Sequence, residues 1–249
     1  MTRNVVVVTF DSLRADHCSH WGYERETTPT LDRFAEEGVV FENAIAPASR
    51  TNPSMAGILT GEPMIAREQV ANPEHSRRHL ERHETVAERF SKEGYATGAF
   101  CPNAYSSRYY GFDTGFDTFE ELFRTHKADE GVTDWAGICT DRVIKWLDNH
   151  DDGPFFLFVW SNGTHDPYAP RANVFAEAEP DHDISRNLNS LRNADPEQAP
   201  AVRDLYDDTI RHADSQYGRL LDALVERDLY DETVMTFTAD HGELLSEHG

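Results

Sequence analysis

Short apolar runs that alternate with segments of helical periodicity constrain the fold of this chain more than any other feature. The runs are rich in β-branched or aromatic residues and are bounded by turn residues, which is typical of strands buried on both faces of a sheet. They are Asn4 to Phe10, Val39 to Ala44, Tyr95 to Phe100, Phe155 to Trp160 and Thr233 to Thr238. The helical patterns cover Thr30 to Glu37, Ser54 to Leu59, Val86 to Glu93, Trp135 to Asn149 and about Ala201 to Arg227. This alternation predicts an α/β fold with a mostly parallel central sheet flanked by helices on both faces.

The length of the chain fits one large domain. Its 249 residues allow one α/β domain or two small ones, and we treat residues 1–249 as one domain. The stretch from Arg171 to Pro200 is rich in Asp, Asn, Glu and Pro and has no clear period. Because loops of that length are often lids or insertions that face the substrate, we expect a long surface excursion here.

The charge balance is strongly acidic. Asp and Glu number 45 against 23 Lys and Arg, which gives a net charge of −22 and argues against nucleic acid as a partner. The only lysines are Lys92, Lys127 and Lys145, and this pattern favours a folded, halophilic protein whose self-repulsion is screened by salt. An ordinary acidic surface is the alternative, whereas intrinsic disorder fits poorly with the apolar runs.

The cysteines and the termini indicate a cytoplasmic protein. Cys18, Cys101 and Cys139 are odd in number and widely spaced, so we expect reduced thiols rather than disulfides or a structural zinc site. The apolar run near the N-terminus is too short for a signal peptide and lacks a cleavage site. No stretch is long enough to span a bilayer. The oligomeric state is not indicated.

Polar residues follow several of the predicted strands at one edge of the sheet. Asp11 ends the first strand, Thr51 follows the second, His165 follows the fourth, and Asp240 and His241 follow the fifth. In sheets of this kind, ligands bind at the carboxyl ends of the strands. The sequence therefore places all of these side chains on one rim.

Each candidate also has an ordinary structural alternative. An aspartate at the position of Asp11 can cap the following turn. Thr51 lies at or beside the start of a helix that contains Pro53, where backbone N–H groups favour an anion, but a plain capping threonine fits as well. Asp240 and His241 could converge on one cation through a turn, although Asp-His-Gly alone is a common motif.

Taken together, these segments resemble the sulfatase family of the alkaline phosphatase superfamily. Sulfatases carry a strand ending in Asp-Asp, then Cys-x-Pro-Ser-Arg-Ala-x-Leu-Leu-Thr-Gly, a His before a Pro, Asp-His-Gly and a further Glu-His-Gly. The matching segments are Asp11-Ser12, Thr51 to Gly61, His165 to Tyr168, Asp240 to Gly242 and Glu247 to Gly249. The resemblance runs over nearly the whole chain and implies an alkaline-phosphatase-like catalytic domain over 1–249, with the family's C-terminal subdomain apparently missing.

The sequence departs from the sulfatase pattern at three positions. Thr51 stands where sulfatases have the Cys or Ser that is oxidised to formylglycine, Met55 replaces the Arg of that motif, and Ser12 replaces the second Asp. Threonine cannot yield the aldehyde, because its β-carbon already carries a methyl group. The departures therefore shift the expected chemistry from sulfate esters toward phosphate esters.

The remaining set is similar to the single-metal site of relatives with a threonine nucleophile, such as lipoteichoic acid synthases and phosphoethanolamine transferases. The resemblance implies that Asp11, Asp240, His241 and Thr51 bind one divalent ion, which could be Mn, Ca, Mg or Zn. The second metal of nucleotide pyrophosphatases is not expected, since Ser161 stands where their Asp-x-x-x-His would begin. Asp208 and His212 have that spacing, but we expect them to form an exposed i, i+4 pair on a helix.

The resemblance implies a covalent mechanism on a small-molecule ester. Thr51 would attack a phosphate monoester or diester, while His165 protonates the leaving oxygen or binds the ester anion, and His248 assists substrate binding. His165 could instead simply pack beside Pro167 and Tyr168. Two further functions stay open: a sulfuric ester hydrolase similar to arylsulfatases, and a truncated, non-catalytic domain that binds anions.

Overall fold

The central sheet has five strands, all parallel. The computed structural model describes residues 3–64, 72–125, 134–150, 153–168, 171–176 and 199–245. The strands are β1 (Asn4–Phe10), β2 (Ala96–Cys101), β3 (Thr118–Glu121), β4 (Phe155–Ser161) and β5 (Thr233–Ala239). Their order is β3-β2-β4-β1-β5, and every pairing is parallel. The predicted α/β class is confirmed.

Helices cover both faces of this sheet. They are α1 (Pro29–Glu37), α2 (Thr51–Thr60), α3 (Pro73–Arg82), α4 (Val86–Lys92), α5 (Leu122–Thr125), α6 (Trp135–Asp148) and α7 (Ala199–Val225). Successive side chains of a strand point to opposite faces. On β4, Leu157 accordingly joins a core cluster with residues of α1, α6 and α7, and Phe156 joins a second cluster with residues of α2, α3 and α4. All seven residues of β4 are buried, as the continuous apolar run predicts.

One predicted strand is wrong. The segment from Val39 to Ala44 has no strand structure, and Val39, Phe41 and Ile45 are 81%, 74% and 89% exposed. A strand needs a neighbour for its N–H and C=O groups, and none of the five strands pairs with this segment. Its β-branched composition is therefore not sufficient to form a strand.

Three elements are absent from the sequence prediction: β3, α3 and the four-residue helix α5. Strand β3 has only four residues, two of them glutamates, so it lacks an apolar run. Helix α3 buries only Ser76 and Leu80, so its apolar period is weak. Asn72 caps α3 by accepting a hydrogen bond from the Glu74 N–H, and Pro73 opens the helix.

The expected exposed pair on α7 is also wrong. Asp208 is fully buried, and its carboxylate accepts hydrogen bonds from the backbone N–H groups of residues 172–175, at 2.7 to 3.1 Å. His212 contacts Asp134, at 2.9 Å between Nε2 and Oδ1. This face of α7 thus points inward, and Asp208 holds the start of the predicted surface excursion. Residues 177–198 of that excursion lie outside the described residues.

Two further expectations can be compared with the structure. All three cysteines are buried and free, in agreement with the absence of a disulfide framework. None of the helices described is long and apolar enough to cross a membrane.

Candidate active site

A tight turn after β1 brings two buried carboxylates together. Asp11 and Asp240 are both 0% exposed, at the ends of the neighbouring strands β1 and β5. Ser12, with a left-handed φ of 65°, donates its N–H to Asp240 Oδ1 at 3.2 Å and its hydroxyl to Asp11 Oδ1 at 3.2 Å. Thr164, after β4, donates its hydroxyl to the Asp11 carbonyl at 2.6 Å. The ends of three adjacent strands therefore fix the position of Asp11.

His241 completes a set of possible metal ligands. One ligand atom from each of Asp11, Asp240 and His241 lies within 4.8 Å of the other two. His241 Nε2 is 3.7 Å from Asp11 Oδ1 and 3.6 Å from Asp240 Oδ2. The structure thus brings together the three ligands that the sequence resemblance implies.

The charges of this cluster fit a divalent cation. Asp240 Oδ2 is buried and makes no hydrogen bond within the described part of the chain. Burial, and then the negative charge of Asp11, raise the pKa of Asp240 well above its ordinary value. The two buried carboxylates repel each other, and one of their oxygens lies unpartnered beside an imidazole nitrogen. A bound cation would stabilise this arrangement.

Thr51 lies beside this cluster at the start of α2. It is the first residue of the helix, after Arg50 in extended conformation, and Gly61 with φ of 72° ends the helix. The Thr51 hydroxyl is 3.1 Å from His241 Nε2. Because Arg50 occupies the capping position, the structure places the Thr51 side chain at the ligand set rather than in the role of a plain helix cap. At this end of α2, backbone N–H groups and the helix dipole favour an anion.

Asn103 is a site residue that the sequence analysis missed. It follows β2 by two residues and donates its side-chain N–H to Asp11 Oδ2 at 2.8 Å. The same amide group is 3.3 Å from the side-chain oxygen of Asn162, which directly follows β4. Both asparagines stand at carboxyl ends of strands, and that position was the available signal.

Asp166 and Asp11 determine the electrostatic environment of His165. Its Nδ1 lies 2.6 Å from the backbone carbonyl oxygen of Asp166 and 2.8 Å from Asp166 Oδ1. Burial disfavours the protonated imidazole, but the hydrogen bond to Asp166 and the charges of Asp11 and Asp166 outweigh it and raise the pKa of His165 to about 10. Tyr168 donates its hydroxyl to Glu243 at 3.2 Å. The other predicted substrate-binding residue, His248, lies outside the described residues.

Tyr206 of α7 supports the turn after β1 from the side of the core. Its buried hydroxyl donates to the Ser12 carbonyl at 2.7 Å and accepts the N–H of Arg14 at 2.9 Å. These two hydrogen bonds hold the backbone around Ser12. Ser12 in turn donates its N–H to Asp240 and its hydroxyl to Asp11. Tyr206 thus helps to position Asp11 and Asp240, the two candidate metal-binding carboxylates.

We expect Tyr206→Phe to weaken metal binding about tenfold and to lower the free energy of unfolding by about 1–3 kcal/mol, because it removes the hydroxyl that bonds to the Ser12 carbonyl and to the Arg14 N–H. Isothermal titration with Mn²⁺ and urea unfolding measure the two effects. Tyr217→Phe is the matched control, since Tyr217 is fully buried on the same helix and its hydroxyl makes no hydrogen bond to a described residue of this turn. Equal metal affinity in the two variants would contradict the role of Tyr206.

The fold and the site together define a class of protein. The parallel sheet with helices on both faces is the fold of the alkaline phosphatase superfamily, and Asp11, Asp240, His241 and Thr51 lie together at one edge of that sheet. Within this superfamily, this chain belongs to the sulfatase family, since the Sulfatase family model matches residues 3–249.

Comparisons with known proteins agree with this assignment. The chain is 36% identical over 97 residues to an arylsulfatase of Clostridium perfringens, a match that covers 39% of this chain and 20% of that protein. The structure of phosphonate monoester hydrolase from Agrobacterium radiobacter superposes with a TM-score of 0.74 at 19% identity, over 99% of this chain and 64% of that one. A lipoteichoic acid synthase of Listeria monocytogenes gives a TM-score of 0.71 at 17% identity, over 99% and 58%. The chain thus spans less than two thirds of each of these proteins, and the structural matches show a shared fold.

Proposed function

We propose that this chain is a metal-dependent hydrolase of phosphoric esters that acts through a covalent intermediate on Thr51. One observation carries the proposal: the Thr51 hydroxyl lies 3.1 Å from His241, which belongs to the ligand set with Asp11 and Asp240. A hydroxyl at a helix N-terminus beside a cation site is well placed to act as a nucleophile. The sulfatase family supplies the scaffold, and Thr51 distinguishes the proposed chemistry from that of formylglycine enzymes.

Asp11, Asp240 and His241, with the Thr51 oxygen, would hold the cation. Oxygen-rich ligation with a single imidazole suits Mn, Mg or Ca, and Zn is compatible with the same set. When bound, the ion would lower the pKa of the Thr51 hydroxyl and offset the negative charge of the ester.

The residues of the chain would perform the transfer in two steps. In the first step, the Thr51 hydroxyl gives its proton to solvent and its oxygen attacks phosphorus, and the bond from phosphorus to the leaving oxygen breaks. The N–H groups at the start of α2 bind the other phosphate oxygens. His165, whose protonated form the neighbouring Asp166 favours, would donate a proton to the leaving oxygen or bind the ester anion. In the second step, water hydrolyses the phosphothreonine and frees Thr51.

Sulfuric ester hydrolysis is the second candidate, and the similarity to an arylsulfatase favours it. Formylglycine enzymes eject sulfate from a geminal diol, whereas a sulfated threonine has no second hydroxyl on its β-carbon. Turnover of sulfate from Thr51 should therefore be slow. A domain that binds anions without turnover is the remaining alternative.

Activity assays separate these three functions. We expect the chelator-treated protein to be inactive and Mn²⁺ to restore hydrolysis of bis-p-nitrophenyl phosphate or p-nitrophenyl phosphate, with p-nitrophenyl sulfate cleaved more slowly. Activity on the sulfate ester alone would overturn the preference for phosphorus. Metal binding by calorimetry without hydrolysis of any of the three esters would show a non-catalytic domain.

A further inference from the structure

The side-chain amide of Asn103 is held in one orientation by its neighbours. Its oxygen accepts a hydrogen bond from the Tyr105 N–H at 2.9 Å. Its NH₂ group donates to Asp11 Oδ2 at 2.8 Å and lies 3.3 Å from the side-chain oxygen of Asn162. A flipped amide would set its oxygen against the Asp11 carboxylate and its NH₂ group against another N–H donor. The structure therefore directs a hydrogen-bond donor at one oxygen of Asp11.

This contact leaves Asp11 with one oxygen for a cation. Asp11 Oδ1 lies 3.7 Å from His241 Nε2, on the side of the possible ligands. The Ser12 hydroxyl, 3.2 Å from Oδ1, can rotate toward another acceptor when a cation binds. Oδ2 instead accepts the Asn103 amide, whose hydrogens carry partial positive charge and would repel a cation at the same oxygen. While this hydrogen bond holds, Asp11 can bind a cation through Oδ1 but not through both oxygens together.

Asp240 is restricted in a similar way by the backbone. Its Oδ1 accepts the N–H groups of Ser12 at 3.2 Å and of His241 at 2.8 Å. Its Oδ2 lies 3.6 Å from His241 Nε2 and makes no hydrogen bond within the described residues. Each carboxylate thus has one oxygen bound to N–H donors and one directed at the site. With the Thr51 hydroxyl and the His241 imidazole, the chain offers a cation three oxygens and one nitrogen.

We propose that Asn103 is a positioning residue that sets the selectivity of the cation site: by holding Asp11 Oδ2, it makes the site bind Mn²⁺ in preference to Ca²⁺. Ca²⁺ takes about six to eight oxygen ligands, often including both oxygens of one carboxylate. A mixed set of carboxylate oxygens and an imidazole nitrogen suits a first-row transition-metal ion better. The inference rests on the cation site of the proposed function, and its test does not require turnover.

Calorimetric titration of native protein and of Asn103→Ala with Mn²⁺ and with Ca²⁺ measures this selectivity. We expect native protein to bind Mn²⁺ about 100-fold more tightly than Ca²⁺. Asn103→Ala should reduce that ratio about tenfold, because Asp11 can then turn and bind Ca²⁺ through both oxygens. A residue that merely supports Asp11 would weaken both cations alike when it is removed. The ratio of the two affinities, rather than the affinity for Mn²⁺, is therefore the test.

Asn4→Ala is the matched control for the loss of an asparagine. Asn4 is the first residue of β1, at the end of the strand opposite to Asp11. Its side-chain oxygen also holds the backbone, since it accepts the Phe155 N–H at 3.2 Å. Because this contact lies far from the ligands, the control should keep the ratio of the two affinities within about twofold of the native value.

Infrared difference spectra of the native protein test the same idea without a substitution. A carboxylate that binds a cation through one oxygen shows a wider separation of its two stretching bands than one that binds through both. We expect only the wide separation when native protein binds Mn²⁺. Ca²⁺ bound to Asn103→Ala should add a pair of bands with the narrow separation.

Several results would overturn the role of Asn103. They are an unchanged affinity ratio in Asn103→Ala, two-oxygen ligation in the native protein with Mn²⁺, and native protein that binds Ca²⁺ as tightly as Mn²⁺ or binds neither. The two proposals can also fail separately. The expected ratios in a protein that hydrolyses none of the nitrophenyl esters overturn the proposed function alone. Mn²⁺-dependent ester hydrolysis with an unchanged ratio in Asn103→Ala overturns the role of Asn103 alone.

Discussion

Replacing Thr51 with alanine is expected to lower kcat for phosphoric ester hydrolysis about 10³-fold or more, which corresponds to about 4 kcal/mol of transition-state stabilisation. The substitution removes the oxygen that would form the bond to phosphorus. The ligands Asp11, Asp240 and His241 stay in place, so metal affinity should change far less than kcat. Steady-state kinetics with bis-p-nitrophenyl phosphate and calorimetric titration with Mn²⁺ measure the two quantities.

Thr60→Ala is the matched control for this loss. Thr60 is the last residue of the same helix, and its hydroxyl donates to the Ala56 carbonyl at 2.7 Å, away from the start of α2. The control should retain kcat within about twofold. Thr51→Ser should retain measurable activity, because serine keeps the hydroxyl. If Thr51→Ala hydrolyses phosphoric esters as fast as the control, a water molecule rather than Thr51 is the nucleophile.

The sequence predicted the central part of the fold because that part is governed by local patterns. Strand β4 is buried on both faces, so an uninterrupted apolar run was sufficient to identify it. The segment from Val39 to Ala44 has a similar composition but no strand neighbour among the described residues. Pairing is a tertiary property, and composition does not encode it. The short strand β3 was missed for the opposite reason, since it pairs with β2 but has no apolar pattern.

The candidate site was predictable in part. Asp11, Thr51, Asp240 and His241 were identified because they stand at the ends of elements and match a family pattern, and the structure brings them together. Asn103 and Tyr206 were not identified. Their roles depend on contacts across 92 and 194 residues of sequence, to Asp11 and Ser12 respectively. A tyrosine on a helix gives no sign in the sequence that its hydroxyl holds a turn in another part of the chain.

We expect metal to reverse the order of stability of the native protein and a variant that lacks one of the two buried carboxylates. In metal-free protein, Asp240 lies fully buried beside Asp11, and its Oδ2 makes no hydrogen bond within the described structure. Asp240→Asn keeps an oxygen that can accept the N–H groups of Ser12 and His241, but it removes one negative charge. We therefore expect the variant to be more stable than the native protein in the presence of chelator, by about 1–2 kcal/mol.

Saturating Mn²⁺ should reverse that order. A metal at a thousand times its dissociation constant stabilises the native fold by about 4 kcal/mol, and the variant, which has lost a ligand, should gain much less. Urea unfolding of both proteins, with chelator and with Mn²⁺, measures the four values. Asp208→Asn is the control. Asp208 is equally buried, but its carboxylate accepts hydrogen bonds from four backbone N–H groups. An amide at this position should therefore destabilise the protein both with chelator and with Mn²⁺. That control should keep the full gain from Mn²⁺. If native protein and Asp240→Asn gain equally from the metal, Asp240 is not a ligand, and the site must be assigned to other residues.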